Sequence, residues 1–125
     1  MTERRSLAEI LQSTSDVLFP AEMGRRIVEI DSRDPCGDTP LHVMAWRGDR
    51  HAVRLLLESS APIDAIGDMG QTPLHVAVMR NDEAVAEILL SAGANPDVRS
   101  EFGDTPRELA QRMSEGMRRL FKARA

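Results

Sequence analysis

The chain has 125 residues, a formal net charge of −4 and a single cysteine. That length holds one domain with a proper core, one cysteine excludes an internal disulfide, and no window approaches the roughly 20 apolar residues of a membrane span. The charge is uneven: Arg112, Arg118, Arg119, Lys122 and Arg124 stand against Glu115 alone, so the rest of the chain carries −8, a poor match for nucleic acid or an anionic membrane.

At the N-terminus, Ser6-Leu7-Ala8-Glu9 reads as a capping box opening a helix with Leu7, Ile10 and Leu11 on one face. Pro20 predicts that a second helix starts there or later and runs roughly from 21 to 28. Thr39-Pro40 is a helix start: a hydroxyl N-cap followed by proline at the first helical position, where its missing N–H costs nothing. That helix carries Leu41, Met44 and Ala45 at core spacing and stops near Gly48-Asp49. The next buries Ala52, Val53, Leu55, Leu56 and Leu57 and ends at Ser59-Ser60-Ala61-Pro62. An extended segment, Ile63-Asp64-Ala65, leads to a turn at Gly67-Asp68-Met69-Gly70.

The grammar then repeats. Gly37-Asp38-Thr39-Pro40-Leu41-His42 returns as Gly70-Gln71-Thr72-Pro73-Leu74-His75, and its opening returns as Gly103-Asp104-Thr105-Pro106, each time 33 residues on. A fixed period of this size marks a stacked repeat array. In the second unit Leu74, Val76, Ala77 and Val78 follow Thr72-Pro73, and Val85, Ala86, Ile88, Leu89 and Leu90 form the next buried side, closed by Gly93. Asn81 stands where the first unit has Gly48, and both residue types tolerate the left-handed conformation that ends a helix. The ends depart from the pattern. Ile30-Asp31-Ser32 is in register with Ile63-Asp64-Ala65, but Pro20 falls where Val53 sits. Arg107-Glu108 replaces Leu-His, and Met117, Leu120 and Phe121 echo Val85, Ile88 and Leu89 with a shift of 32, one residue having been lost near Ser114-Glu115-Gly116. Array ends must seal the stack on one side and face water on the other, so these are read as caps.

Gly-x-Thr-Pro-Leu-His, paired short helices, a Leu-Leu pair and Gly-Ala-Asn at the end resemble the ankyrin repeat family, over about Arg33 to Met113. The first unit departs with Met44 at the family's alanine and Ser60 at its glycine. The resemblance implies an all-α ankyrin-repeat solenoid of helix-turn-helix units joined by β-turn loops. Its parts would be a divergent N-cap (1–36), two full repeats (37–69 and 70–102) and a C-cap (103–125), four helical pairs in all. It further implies a non-enzymatic protein-binding module, monomeric on its own. Partners of the family commonly contact the loop tips before Thr-Pro and the exposed side of each first helix.

His42 and His75 hold one repeat position, where the family's histidine bonds within its turn and to the neighbouring repeat. Equivalent helices lie roughly 8–10 Å apart, whereas zinc needs each nitrogen at about 2.0–2.1 Å, so a shared metal is not expected. His51 is placed on the exposed side of its helix. Cys36 has no evident histidine partner, and its repeat equivalents are Met69 and Phe102. No phosphate loop, paired-carboxylate site or cofactor motif is found, and none is expected.

Counting in steps of 33 instead gives surface columns: Cys36, Met69 and Phe102 at the tips; Asp38, Gln71 and Asp104 beside them; Trp46, Met79 and Arg112, then Arg47, Arg80 and Met113, on the first helices. Trp46 is the only tryptophan, and aromatic, Met and Arg side chains are enriched at interface centres. Trp46-Arg47 beside Met79-Arg80 is expected to suit a partner with an acidic-hydrophobic surface. The candidate protein-binding set is therefore Trp46, Arg47, Met69, Gln71, Met79, Arg80, Phe102, Asp104, Arg112 and Met113. Two alternatives are a regulatory or inhibitory subunit of an enzyme and, more weakly, nucleic-acid binding through Arg118, Arg119, Lys122 and Arg124. The simpler account of that basic tail is complementing a helix C-terminus. With no signal-like apolar run after Met1 and one cysteine, the expected location is cytoplasmic.

Overall fold

A computed structural model of the chain describes residues 6–22 and 27–122, and all regular structure in them is helical. Three consecutive helix pairs carry the pattern: α3 (Pro40–Arg47) with α4 (Arg50–Glu58), α5 (Pro73–Met79) with α6 (Glu83–Ser91), and α7 (Pro106–Ala110) with α8 (Glu115–Lys122). Inner helices stack α3 on α5 on α7, and outer helices stack α4 on α6 on α8, so each pair touches its neighbours in sequence.

Each inner helix starts the same way. Thr39, Thr72 and Thr105 are N-caps in extended conformation with proline at the first turn, and their hydroxyls accept from the backbone N–H three residues on. The residue there returns the favour to the cap's own N–H: His42, His75 and Glu108 complete three capping boxes. The inner helices end in the left-handed region where the chain must turn back, at Gly48 (φ 71°) and at Asn81 (φ 51°), as their shared register position requires. Outer helices start on Asp49 and Asp82, whose carboxylates accept from Ala52 and Val85 N–H.

The core lies between the two helix layers: Leu41, Met44, Val53, Leu56, Leu74, Val78, Leu89, Met117 and Phe121 are essentially fully buried. Burial of each large side chain is worth roughly 1.5–3 kcal/mol. Leu55, Leu57 and Ile88, expected inside, are only half-buried on the outer helices. Residues 63–64 form a turn rather than an extended segment, because Ala65 N–H reaches back to the Pro62 carbonyl while Ala61 and Ala65 go inside.

The N-terminal unit differs most from expectation. Helix α1 (Leu7–Gln12) starts on Ser6, whose hydroxyl accepts from Glu9 N–H, and buries Ile10 and Leu11. A four-residue helix, α2 (Ser15–Leu18), then precedes Pro20, followed by a 3₁₀ turn over Pro20–Glu22. Of the helix expected over 21–28, residues 23–26 lie outside the described residues, and Ile27 and Val28 are not helical. The hydroxyls of Ser13 and Thr14 explain the early break: each donates 2.6 Å to a carbonyl of α1, at Ile10 and Leu11, capping the helix from within. Helix α1 packs on α4 and seals that end of the stack.

Candidate functional site

The tips are set by side chains that tie one repeat to the next. The His42 Nδ1 accepts from Thr39 N–H at 3.1 Å, so its proton sits on Nε2, which donates to the Gln71 carbonyl 2.9 Å away. His75 repeats this with Thr72 N–H at 3.0 Å and the Asp104 carbonyl at 3.0 Å. Burial lowers both pKa values below the usual 6.5, with the carbonyl bonds opposing it. Both nitrogens of each ring are thus engaged, Nδ1 in its own turn and Nε2 in holding the next tip. Glu108 takes the same position in the last repeat, accepts from Thr105 N–H at 3.0 Å, and serves its own turn. Arg107, in register with buried Leu41 and Leu74, instead pairs with Asp97 and donates to the Phe121 carbonyl, which finishes the stack. His51 is not exposed as expected: it is half-buried, with Nε2 inside and unbonded.

Further ties fix the tips relative to each other. Asp38 Oδ1 accepts from Asp68 N–H at 2.9 Å, Glu101 N–H donates to the Met69 carbonyl at 3.0 Å, and Arg33 donates to the Ile66 carbonyl at 3.3 Å. Met69 adopts φ 56°, a left-handed backbone rare for a non-glycine residue, and points an exposed side chain outward. Cys36 is exposed, and the carboxylates of Asp68 and Asp34 raise its pKa, disfavouring the reactive thiolate.

Across the face, the tip-flanking and inner-helix columns meet in pairs eight residues apart. Gln71 Nε2 contacts Met79 Sδ at 3.0 Å. Arg112 pairs with Asp104 at 3.0 Å. The first pair, Asp38 and Trp46, does not close: Asp38 turns to Asp68 N–H, and Trp46 carries the Arg80 guanidinium over its ring, 4.5 Å from the centroid. Between them opens a hollow of about 540 Å³ with Val43, Trp46 and Val76 among its lining and Asp38, Asp68 and Arg47 at its polar edges. Val17, from α2, completes the apolar side and is itself exposed.

Trp46, Met69, Met79 and Phe102 are all exposed, at 56, 49, 44 and 67 %. Met113 is half-buried against the core and adds little surface. The guanidinium strip expected to greet an acidic partner is engaged internally: Arg47 donates to the Ser13 hydroxyl and carbonyl, Arg80 stacks on Trp46, and Arg112 pairs with Asp104. In the basic tail, Arg118 donates to the Met113 carbonyl at 2.7 Å and Arg119 pairs with Glu115 at 2.8 Å; Arg124 lies outside the described residues. Sequence reasoning missed Val17, because α2 falls out of register, and the Arg80–Trp46 stack, which joins neighbouring columns on successive repeats.

Fold and face together define a stacked helical-repeat protein with an elongated, chemically mixed surface. A family model for ankyrin repeats, in 3 copies, matches residues 8–100, and the chain belongs to the ankyrin repeat family. Ankyrin repeats generally mediate protein–protein interactions and are typically non-enzymatic. No curated protein matches the chain. Among the described residues, no helix is long and apolar enough to cross a membrane.

Proposed function

We propose that the chain is a non-enzymatic, cytoplasmic binding module, monomeric on its own, that holds one partner protein along its concave face and loop tips. Its organisation would be an N-cap (1–36), two full repeats (37–69 and 70–102) and a C-cap (103–125). The observation that carries this reading is a run of exposed large apolar side chains where the fold has no use for them. Trp46 and Met79 lie on successive inner helices, and Met69 and Phe102 on successive tips. Scattered exposed apolar residues are ordinary, but alignment along one face marks an interface. Gln71, Arg80, Asp104 and Arg112 would frame that run, with Arg47 and Met113 supporting it from below. Cross-repeat bonds from His42 and His75 hold the tips in place before a partner arrives, which lowers the ordering cost of binding.

The test compares affinity capture from native lysate by the wild-type chain and by Trp46→Ala/Met69→Ala/Phe102→Ala. The substituted side chains are exposed, so the variant is expected to stay folded and to lose the specific partner. A folded variant that retains the same partners would remove the face from consideration. The alternative, a regulatory subunit covering an enzyme's site, differs in the partner alone: a captured enzyme would lose activity when the chain is added back.

A further inference from the structure

We infer that the hollow between the first two repeats receives a basic side chain from the partner, beside an apolar one, so that the contacting segment is basic-apolar. The inference rests on the proposed binding face and assigns its chemistry. In the later repeats the tip residue and the helix residue bond to each other across the face, Gln71 to Met79 and Asp104 to Arg112. In the first, Asp38 is turned toward Asp68 N–H and tryptophan can offer it no guanidinium, so the gap stays open. Its apolar side, Trp46 with Val43, Val76 and Val17, fits an alkyl stem and an aliphatic neighbour.

The charge then decides which head group follows. On the helix side Arg47 lines the hollow and Arg80 sits over the Trp46 ring, but Arg47 already donates to the Ser13 hydroxyl and carbonyl and Arg80 is held on the ring face. Among the described residues, Asp38 and Asp68 form no ion pair; Asp38 accepts one backbone N–H, and the Asp68 side chain is exposed. Arg33, at the same tips, donates to the Gly37 and Ile66 carbonyls. The raised pKa of Cys36, driven first by Asp68 and then by Asp34, reports the same negative field at this end. A cationic head at the tip edge gains two carboxylates. An anionic head there meets both at close range and must compete for guanidiniums already in use.

Trp46 is the only tryptophan and the chain has no tyrosine, so tryptophan emission reports this hollow alone. The probes are short acetylated peptides alternating leucine with arginine, with glutamate or with glutamine, titrated into the full chain. The arginine–leucine peptide is expected to shift Trp46 emission and bind best. Asp38→Asn/Asp68→Asn should weaken it about tenfold, three- to fivefold for each carboxylate, and added salt should act likewise. Asparagine keeps the oxygen that accepts Asp68 N–H, so an unchanged urea midpoint certifies the fold. Preference for the glutamate–leucine peptide, with Trp46 responding, would overturn the basic occupant and leave the binding face intact. Arginine–leucine binding unaffected by the Asn variant, or no Trp46 response to any peptide, would also overturn it. Tight peptide binding by calorimetry that leaves Trp46 silent and survives Trp46→Leu would count against the face itself.

Discussion

His75→Ala tests whether the repeat holds its neighbour through this one ring. His75 is fully buried, accepts from Thr72 N–H at 3.0 Å and donates to the Asp104 carbonyl at 3.0 Å. Alanine leaves the Thr72 N–H without its acceptor, worth about 1–3 kcal/mol when it stays dry, and takes one of two donors from the Asp104 carbonyl, which keeps Ser100 N–H at 2.9 Å. The vacated ring adds a cavity term. A loss of about 2–4 kcal/mol follows, a large share of the roughly 5–15 kcal/mol typical of a domain. His42→Ala should cost nearly as much, since its bonds are 3.1 and 2.9 Å. Glu108→Ala should cost less, because that side chain holds no following repeat. Urea unfolding of the three variants measures all of this. A loss below about 1 kcal/mol for His75→Ala, or equal losses at 75 and 108, would refute the cross-repeat account.

Other outcomes follow from the same geometry. The folded pKa values of His42 and His75 lie below the unfolded value of 6.5, so the unfolded chain takes up protons first; stability is full above that pH and falls as pH drops through and below it. Urea midpoints across mildly acidic pH should decline, with a shallower decline in His75→Ala; a midpoint that rises on acidification would contradict the assignment. Gly48→Ala places a Cβ at φ 71° and should cost about 1–2 kcal/mol in the same assay. Ser60→Gly should do the reverse: serine holds φ 69° where the next repeat uses Gly93 at φ 98°, so glycine should raise the unfolding free energy by about 0.5–1 kcal/mol.

The inner helices were legible because their signals are local. Threonine, proline and a left-handed Gly or Asn name their own positions, and the 33-residue period carries them from unit to unit. The histidines were legible by register, although their role as the second half of a capping box was not, since that motif is read from Glu or Gln. The N-terminal unit resisted because its break is made by Ser13 and Thr14 bonding back to α1, a competition that composition alone does not resolve. The candidate surface was legible as columns, but the internal partners of its cations were not. Sequence spacing placed Arg47, Arg80 and Arg112 on the face, but Ser13, Trp46 and Asp104, the partners that occupy them, lie in other elements or other columns.

Units that share the same turn differ in the side chains they carry on this face. Repetition fixes the backbone, so tip and helix positions eight residues apart face each other in every unit. What varies is whether the two side chains can bond. Gln71 reaches Met79, and Asp104 reaches Arg112, and both pairs close the face over themselves. Tryptophan at 46 brings no charge to Asp38 and forms no bond with it, and Asp38 is drawn to Asp68 N–H instead. The open hollow is therefore a consequence of one mismatched pair on an otherwise self-satisfied surface. Trp46→Arg would recreate the Asp104–Arg112 pairing two repeats earlier. It should close the hollow, release Arg80 from its aromatic seat and abolish arginine–leucine peptide binding, with little change in the urea midpoint. Calorimetry reads that loss directly, and undiminished binding by the arginine variant would mean that the mismatch is not what opens the site.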